Sequence, residues 1–324
     1  MGADVTAQAD HGGGVDAAVR RFGGTRAGWL DLSTGINPCP YPLGEVSAQA
    51  WTTLPDETAL AALEHAARDF WQIPDGAAVL AAPGASALIA RLPHLAAAGR
   101  VGIGNRTYNE HARAFAAAGW QVCDPADGRA DARVIVHPNN PDGRVWTAAD
   151  LAQDRVPTTV VDESFCDVMP DVSLIKEATR AGFIILKSFG KFWGLAGLRL
   201  GFAIGDPALI AVLAQGLGPW AVSGPALEVG VRALQDPDWA GATRMRLARD
   251  AQRLDALMAV PLVGGTSLFR LYDVGDAAFV QAHLARAQIW TRIFPYSTRW
   301  LRLGLPGTGA DWARLEAAMA GARG

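Results

Sequence analysis

A chain of 324 residues, half of them apolar, can bury a core large enough for one substantial domain and a smaller one. The formal net charge of −3, with no block of five like charges, leaves no footprint for nucleic acid or an anionic membrane surface. Cys39, Cys123 and Cys166 are widely separated, with no Cys-x-x-Cys or His-Glu-x-x-His run, which argues against a disulfide framework and a zinc site. The first twenty residues lack a charged head with an apolar core, and no apolar run reaches bilayer-spanning length, so a cytoplasmic protein working on small molecules is expected. Met1–Thr6 fits a short myristoylation pattern that chance produces often, and it is set aside.

Between Asp10 and Gly28, His11 and three glycines precede Val15, Ala18, Val19 and Phe22 at near-helical spacing, which predicts a short amphipathic helix. Open amides at its head beside His11 suit an anion; composition alone favours a tail of small residues. Residues 30–41 alternate and then break into prolines, a short strand entering a rigid loop. Asn37 in that loop reads equally well as a turn residue bonding its own backbone. A helix follows through Leu60, Leu63, Ala66, Ala67 and Phe70, ending before Pro74.

Residues 79–92 read as a strand end, the turn Pro83-Gly84-Ala85-Ser86 and a helix. Such a turn offers amides and a hydroxyl to a phosphate, or is an ordinary serine cap. The Val101-Gly-Ile-Gly104 stretch has Thr107 where a dinucleotide fingerprint needs its third glycine, so no dinucleotide site is expected. Tyr108 opens the next helix, 110–118. A β-branched run then delivers Asn140-Pro141-Asp142-Gly143, and a second ends at Asp162, a carboxylate that needs a partner if buried.

The apolar run 183–186 reads as a buried strand leading into Lys-Ser-Phe-Gly-Lys-Phe-Trp-Gly-Leu-Ala-Gly-Leu-Arg-Leu-Gly, which packs Ser188, Lys191 and Arg199 among four glycines. The aromatic pair after Lys191 predicts a desolvated, nucleophilic amine. Arg199 offers a planar fork suited to phosphate. A surface loop of solvated cations is the plain alternative. Farther on, helices are expected at 208–217, 225–234 and 239–258, the arginines of the last forming a solvated face. Strands are expected at 266–272 and 300–304, around a helix at 277–287. Arg302 interrupts an apolar strand and needs an anionic partner; Arg292 and Arg299 read as structural.

Alternating strands and helices with polar turns at the strand ends predict an α/β protein. Its large domain is a three-layer α/β/α unit with a mostly parallel sheet over about 45–215, and residues 1–44 with 216–324 form a smaller α+β domain.

Ser188 and Arg199 lie three residues before and eight after Lys191, and this spacing resembles the fold-type I pyridoxal-phosphate enzymes of the aspartate aminotransferase superfamily. The Gly-Leu-Ala-Gly-Leu-Arg-Leu-Gly run resembles the branch containing histidinol-phosphate aminotransferases and threonine-phosphate decarboxylases. The resemblance covers nearly the whole chain and implies pyridoxal 5'-phosphate as cofactor and a homodimer with sites at the subunit interface. It implies that Lys191 carries the cofactor and then handles protons, that Asp162 pairs with the ring nitrogen, and that Tyr108 stacks on the ring. Asn140 would bond the phenolic oxygen, and Ala85, Ser86, Ser188 and Arg199 would hold the cofactor phosphate. His11, Gly12 and Gly13 resemble a substrate-phosphate site, Asn37 and Asn140 the substrate side, and Arg302 the substrate-carboxylate arginine.

Three positions depart from relatives. Leu54 stands where a tyrosine usually reaches the partner subunit's cofactor phosphate, so that contact is either missing or supplied from elsewhere, as by Trp51 or Thr53, and Arg106 stands where proline is usual. Phe165 stands where many aminotransferases have tyrosine and threonine-phosphate decarboxylases have phenylalanine. The implied activity is decarboxylation of L-threonine O-3-phosphate to (R)-1-aminopropan-2-ol phosphate in cobalamin biosynthesis, with serine phosphate a close competitor. The alternatives are a histidinol-phosphate-type aminotransferase and a non-catalytic binding protein on the same fold.

Overall fold

The computed structural model describes residues 11–152 and 156–320; the pattern at Met1–Thr6 lies outside them. The chain opens with α1 (Val15–Phe22), β1 (Leu30–Asp31), α2 (Ala48–Thr52), α3 (Glu57–Trp71), β2 (Ala78–Ala82) and α4 (Ala85–Ile89). It continues through β3 (Arg100–Ile103), α5 (Asn109–Ala117), β4 (Gln121–Cys123), β5 (Ala132–Val136), α6 (Ala148–Ala152), β6 (Thr158–Asp162), β7 (Phe183–Ser188) and β8 (Gly201–Gly205). Helices α7 (Pro207–Leu217), α8 (Gly224–Leu234) and α9 (Pro237–Met258) follow. The last elements are β9 (Leu262–Thr266), β10 (Phe269–Asp273), α10 (Ala277–Arg286), β11 (Ile289–Trp290), β12 (Arg292–Phe294), β13 (Ser297–Gly304) and α11 (Gly309–Ala320). Two compact units result, one of residues 36–249 with 265–268, the other of residues up to 35, 250–264 and 269 onward.

In the larger unit seven strands form one sheet in the order β2-β8-β7-β6-β5-β3-β4. Strands β3 to β7 run parallel, and β8 is antiparallel to both its neighbours. The central strands are apolar on consecutive residues because both sheet faces are covered. Alternate side chains serve the two sides. Val134, Val160, Ile184, Leu186 and Ala203 pack with Leu88, Phe115, Ile210 and Leu213 of α4, α5 and α7. On the opposite side Phe202 meets Trp71 of α3 and Phe189, at ring-centroid distances of 5.0 and 6.0 Å. By the same alternation Asp162 and Ser188 project to the α5 side and Lys187 to the α3 side. The carboxyl ends of β5, β6 and β7 thus deliver Asn140, Asp162 and Ser188 to one edge of the sheet.

Two arginines of helix α9, Arg244 and Arg246, depart from the expected solvated face, which Arg249 and Arg253 keep. Arg244 donates from Nε to the Asp167 carbonyl at 2.7 Å, with its guanidinium carbon 5.2 Å from the Phe192 ring centroid, and Arg246 donates from Nη2 to Asn37 Oδ1 at 2.6 Å. Long apolar stems let both arginines lie along packed aromatic and loop surface while their heads reach acceptors.

In the smaller unit the apolar stripe expected on α1 is used. Val15 and Ala18 pack with Trp29 and Ala285, and Phe22, Trp29 and Trp290 lie 6.2–6.3 Å apart. A four-stranded sheet runs β12-β13-β10-β9, and β1 pairs with β11 in parallel. The single strand expected at 266–272 is two: Thr266 ends β9 and Phe269 begins β10, with the turn between them. Glycines 264 and 265 disguised β9 as loop. Among the described residues no helix is long and apolar enough to cross a membrane.

Candidate active site

Strand β7 ends at Ser188, and the chain turns at once through Phe189–Gly194. Phe189, Phe192 and Trp193 are fully buried. Trp193 stacks between Phe189 at 5.2 Å and Trp239 at 5.3 Å, and its Nε1 donates to Asp167 Oδ2 at 3.2 Å. The aromatic pair after Lys191 is a foundation under the turn, with Trp193 held by its stacking partners and Asp167. Lys191 Nζ lies 5.5 Å from the Phe165 ring centroid. Gly194 has φ +70°, and a Cβ there would stand 2.7 Å from Pro40 Cα and 2.8 Å from the Asn37 carbonyl. Gly194→Ala is expected to cost about 1–3 kcal/mol, read as a lower urea midpoint at unchanged m.

Asp162, at the end of β6, is buried. Its Oδ2 accepts from His111 Nε2 at 2.8 Å, and its Oδ1 from the Ser164 amide at 3.0 Å and hydroxyl at 2.5 Å. Burial pushes this carboxyl up, but the His111 and Ser164 hydrogen bonds outweigh it and hold Asp162 below the usual carboxylate range. His111 Nδ1 has no hydrogen-bond partner among the described residues, so the ring is held through Nε2 on Asp162. The sequence reading missed His111. Its signal was a polar residue on the buried stripe of α5, three after Tyr108, whose ring it meets edge-on at 6.0 Å.

Ser188, Arg199, Ala85 and Ser86 come together around Gly201, which pairs with Ser188 in β7 on one side and Ala82 in β2 on the other. A Cβ at Gly201 would lie 2.5 Å from the Ala85 amide, so a side chain there would close the approach of this turn. At Gly84, with φ +83°, a Cβ would meet Arg199 Nη2 at 2.7 Å. Arg199 itself is left-handed, φ 55°, and its Nη1 donates to the Ala196 carbonyl at 3.0 Å. Tyr108 precedes α5 and Asn140 follows β5; Asn139 ties their turns, donating from Nδ2 to the Arg106 carbonyl at 2.9 Å and Asp142 Oδ1 at 2.8 Å, and accepting from the Thr107 hydroxyl at 2.6 Å.

Asn37 is buried, with its side chain engaged by the chain itself. Oδ1 accepts from the Cys39 amide at 3.0 Å and from Arg246, and Nδ2 donates to the Phe192 carbonyl at 2.8 Å. Beyond Asp162, the His137, Glu163 and Cys166 ligand atoms lie within 4.8 Å of one another. His137 accepts at Nδ1 from the Trp146 amide and bonds the Val172 carbonyl through Nε2, Glu163 holds Lys187 Nζ at 2.6 Å, and burial pushes the Cys166 thiol up. With these donors committed, the cluster is packing chemistry.

The smaller unit brings its own predicted residues together. Arg302, buried on β13, donates from Nη2 to the Ser33 carbonyl at 2.7 Å, and a Cβ at Gly12 would lie 3.3 Å from that Nη2. The amides expected to be open are partly engaged: the Gly13 amide donates to Ser33 Oγ at 2.7 Å, and its carbonyl accepts from Trp290 Nε1 at 2.9 Å. His11 therefore begins a strip fixed beside Arg302. Arg292, read as structural, is the direct cross-strand partner of Arg302, so the two cations share one face of the sheet. Trp51 and Leu54 in the larger unit are 71% and 67% exposed.

The family model of aminotransferase class I and II matches residues 43–317. The chain belongs to the aminotransferase class I and II family. Among relatives, a threonine-phosphate decarboxylase from Pseudomonas aeruginosa is 43% identical over 329 residues, and one from a Sinorhizobium species 42% identical over 325 residues. Each alignment covers 96% of this chain and 97% of the relative. A histidinol-phosphate aminotransferase from Symbiobacterium thermophilum is 33% identical over 176 residues, 50% of this chain and 49% of that protein. Histidinol-phosphate aminotransferase from Sinorhizobium meliloti in complex with pyridoxal 5'-phosphate shares the fold, with a TM-score of 0.80 at 20% identity over 98% of this chain and 97% of that one. The α/β fold, mixed but mostly parallel in its central sheet, is thus aspartate aminotransferase-like, as expected.

Aminotransferase class I and II proteins use pyridoxal 5'-phosphate, and the residues present fit it. Asp162 is a buried carboxylate whose hydrogen-bond partners among the described residues are a histidine Nε2–H, an amide and a hydroxyl, the setting in which a protonated ring nitrogen completes a charge pair. The glycines at 84 and 201 let Arg199 and the Ala85 amide come close to the end of β7 at Ser188, with Ser86 next in the chain, a donor set suited to a phosphate.

Proposed function

We propose that this chain is a pyridoxal-phosphate-dependent threonine-phosphate decarboxylase, converting L-threonine O-3-phosphate to (R)-1-aminopropan-2-ol phosphate and CO₂ for cobalamin assembly. One observation carries this assignment: similarity to two proteins of that name along 96% of the chain, where the histidinol-phosphate aminotransferase from Symbiobacterium thermophilum matches along 49% of its own length. Phe165 beside Lys191 supports it, since an apolar ring replaces a hydroxyl there.

Bound pyridoxal phosphate supplies a sink for the electron pair left at the substrate α-carbon. Arg199, Ser188, Ala85 and Ser86 would hold its phosphate, Asp162 would keep its ring nitrogen protonated, Tyr108 would pack on the ring and Asn140 would bond the phenolic oxygen. Lys191 Nζ would hold the cofactor and, once free, would deliver the proton that takes the place of the lost carboxylate, so that one C–C bond breaks and one C–H bond forms. Arg302 takes the substrate carboxylate. The paired cations of Arg292 and Arg302 suit a substrate with two anionic ends, and His11, Gly12 and Gly13 flank them.

Arg302→Lys is expected to raise KM for threonine phosphate about 10- to 100-fold, the equivalent of one charge-assisted bond of about 1.5–3 kcal/mol, while visible cofactor absorption stays as in the wild type. Steady-state kinetics beside the absorption spectrum checks this. Activity itself is tested by offering threonine phosphate alone, serine phosphate alone, and histidinol phosphate with a keto acid. Threonine phosphate should be consumed fastest, ahead of serine phosphate by the roughly 1–3 kcal/mol a methyl group contributes. Consumption of histidinol phosphate alone would make the chain an aminotransferase.

A homodimer and a cytoplasmic setting complete the proposal. Exposed Leu43, Trp51, Leu54 and Trp220 in the larger unit give a second copy apolar surface to cover, and none of the three cysteines is in a disulfide. Light scattering at the mass of one chain would contradict the dimer.

A further inference from the structure

We infer that Arg246 is a positioning residue for Lys191, acting through Asn37. The inference rests on Lys191 bearing the cofactor. Residues 37–41 lie along the turn that carries the lysine and serve three successive carbonyls of it. The Asn37 amide donates to the Lys191 carbonyl at 3.0 Å, Asn37 Nδ2 to the Phe192 carbonyl at 2.8 Å, and the Tyr41 amide to the Trp193 carbonyl at 2.9 Å. Gly194 then passes so close to Pro40 and the Asn37 carbonyl that no side chain fits.

This splint is oriented by the far end of the Asn37 side chain. Both acceptor positions of Oδ1 are taken, one by the Cys39 amide two residues on and one by Arg246 Nη2 at 2.6 Å. The Cys39 bond closes a local turn. The Arg246 bond reaches 209 residues along the chain, to α9, and is charge-assisted. It fixes which way the amide points, so that Nδ2 faces the Phe192 carbonyl. Asn37 thereby belongs to the support of the lysine turn, where the sequence had suggested a substrate contact, and Arg246 is the residue that sets it.

The functional consequence follows from where Nζ must be. Lys191 reaches the reacting atoms through four rotatable carbons, and its backbone is held by its own carbonyl, which accepts from Asn37 and from the Gly194 amide at 3.1 Å. Loosening that carbonyl moves the root of the side chain, and a displacement of about 1 Å can lower a rate on the order of 10²-fold.

The test compares cofactor-loaded wild type with Arg246→Met, Arg246→Lys, Asn37→Ala and the Arg246→Met/Asn37→Ala double variant. Before any substrate is added, deuterium uptake is followed in peptides covering 189–195, with peptides of β5 as the control for global folding. Arg246→Met and Asn37→Ala should each speed uptake at 189–195 with β5 unchanged. Each should lower kcat about 10- to 100-fold with KM for threonine phosphate moved by no more than about twofold. Arg246→Lys, which keeps a donor of the same charge, should recover most of the loss, and the double variant should be no worse than Asn37→Ala. Unchanged uptake with a raised KM would overturn the inference and make these residues substrate contacts. Additive losses in the double variant would overturn it as well, because two independent roles do not form one path. Should the wild type show no visible absorption with pyridoxal phosphate, the cofactor role of Lys191 fails, and the same uptake comparison still decides whether Arg246 holds the turn.

Discussion

Lys191→Ala should abolish the visible absorption of the cofactor-loaded protein and lower turnover of threonine phosphate by at least about 10⁴-fold, the upper end of what a positioned proton donor contributes. Two losses combine. Lys191 Nζ, 5.5 Å from the Phe165 ring centroid, is the group proposed both to attach the cofactor and to return a proton to the α-carbon, and alanine removes it. The fold should survive, because the foundation of the turn is made by Phe189, Phe192 and Trp193, all fully buried, and by backbone bonds to Asn37 and Tyr41 that alanine leaves intact. Ser188, Arg199 and the 84–86 turn should still retain pyridoxal phosphate noncovalently, detectable by fluorescence after gel filtration. A variant with the wild-type spectrum would remove Lys191 from the cofactor site.

Lys187→Met should cost about 3–5 kcal/mol of stability, the range for breaking a buried ion pair from one side. Lys187 is 2% exposed, with Nζ 2.6 Å from Glu163 Oε2 and 3.6 Å from Asp167 Oδ1. Burial alone would push the amine down, but the two carboxylates more than offset this and hold it above the ordinary lysine range. Burial likewise pushes Glu163 up, and the charge and hydrogen bond of Lys187, with donors from Ser173 and Leu174, outweigh it and hold Glu163 below the ordinary range. The sign of the pH dependence follows. The depressed Glu163 contributes stability above its reference value of 4.5 that is lost as pH falls through its folded value, and the raised Lys187 contributes stability below 10.5 that is lost as pH rises through its own. Wild-type stability should therefore hold across neutral pH and fall in acid. Lys187→Met should instead lose stability as pH rises from about 4.5, because the buried Glu163 then ionises without the Lys187 cation beside it. Adding Glu163→Gln should restore part of it. Urea midpoints across pH decide this, and a loss below about 1 kcal/mol would show that the pair is not essential to the α3 side of the sheet.

What could be read from the sequence was local. Apolar runs of strand length exposed β5, β6 and β7, and Asp162 at the end of β6 with Asn140 and Lys191 in the turns after β5 and β7 stood where the family resemblance implies site residues. What stayed hidden depended on partners far along the chain. Lys187 looks like a second loop lysine until β7 alternation turns it away from Ser188 and toward Glu163, on the neighbouring strand's end. His111 resembles an ordinary polar helix residue until α5 packs it onto Asp162. The arginines of α9 scan as a solvated face, and only packing shows Arg244 over Phe192 and Arg246 on Asn37. The place of Trp193 was hidden for the same reason: stacking with Phe189 and Trp239 holds it under the turn.

The most direct measurement mixes purified, cofactor-loaded protein with threonine phosphate and no keto acid, and follows CO₂ release together with the absorption spectrum. Sustained CO₂ release over many turnovers, matched by aminopropanol phosphate, is the predicted result. A single shift of the band to the amine form of the cofactor without CO₂ would contradict it and make the protein an aminotransferase.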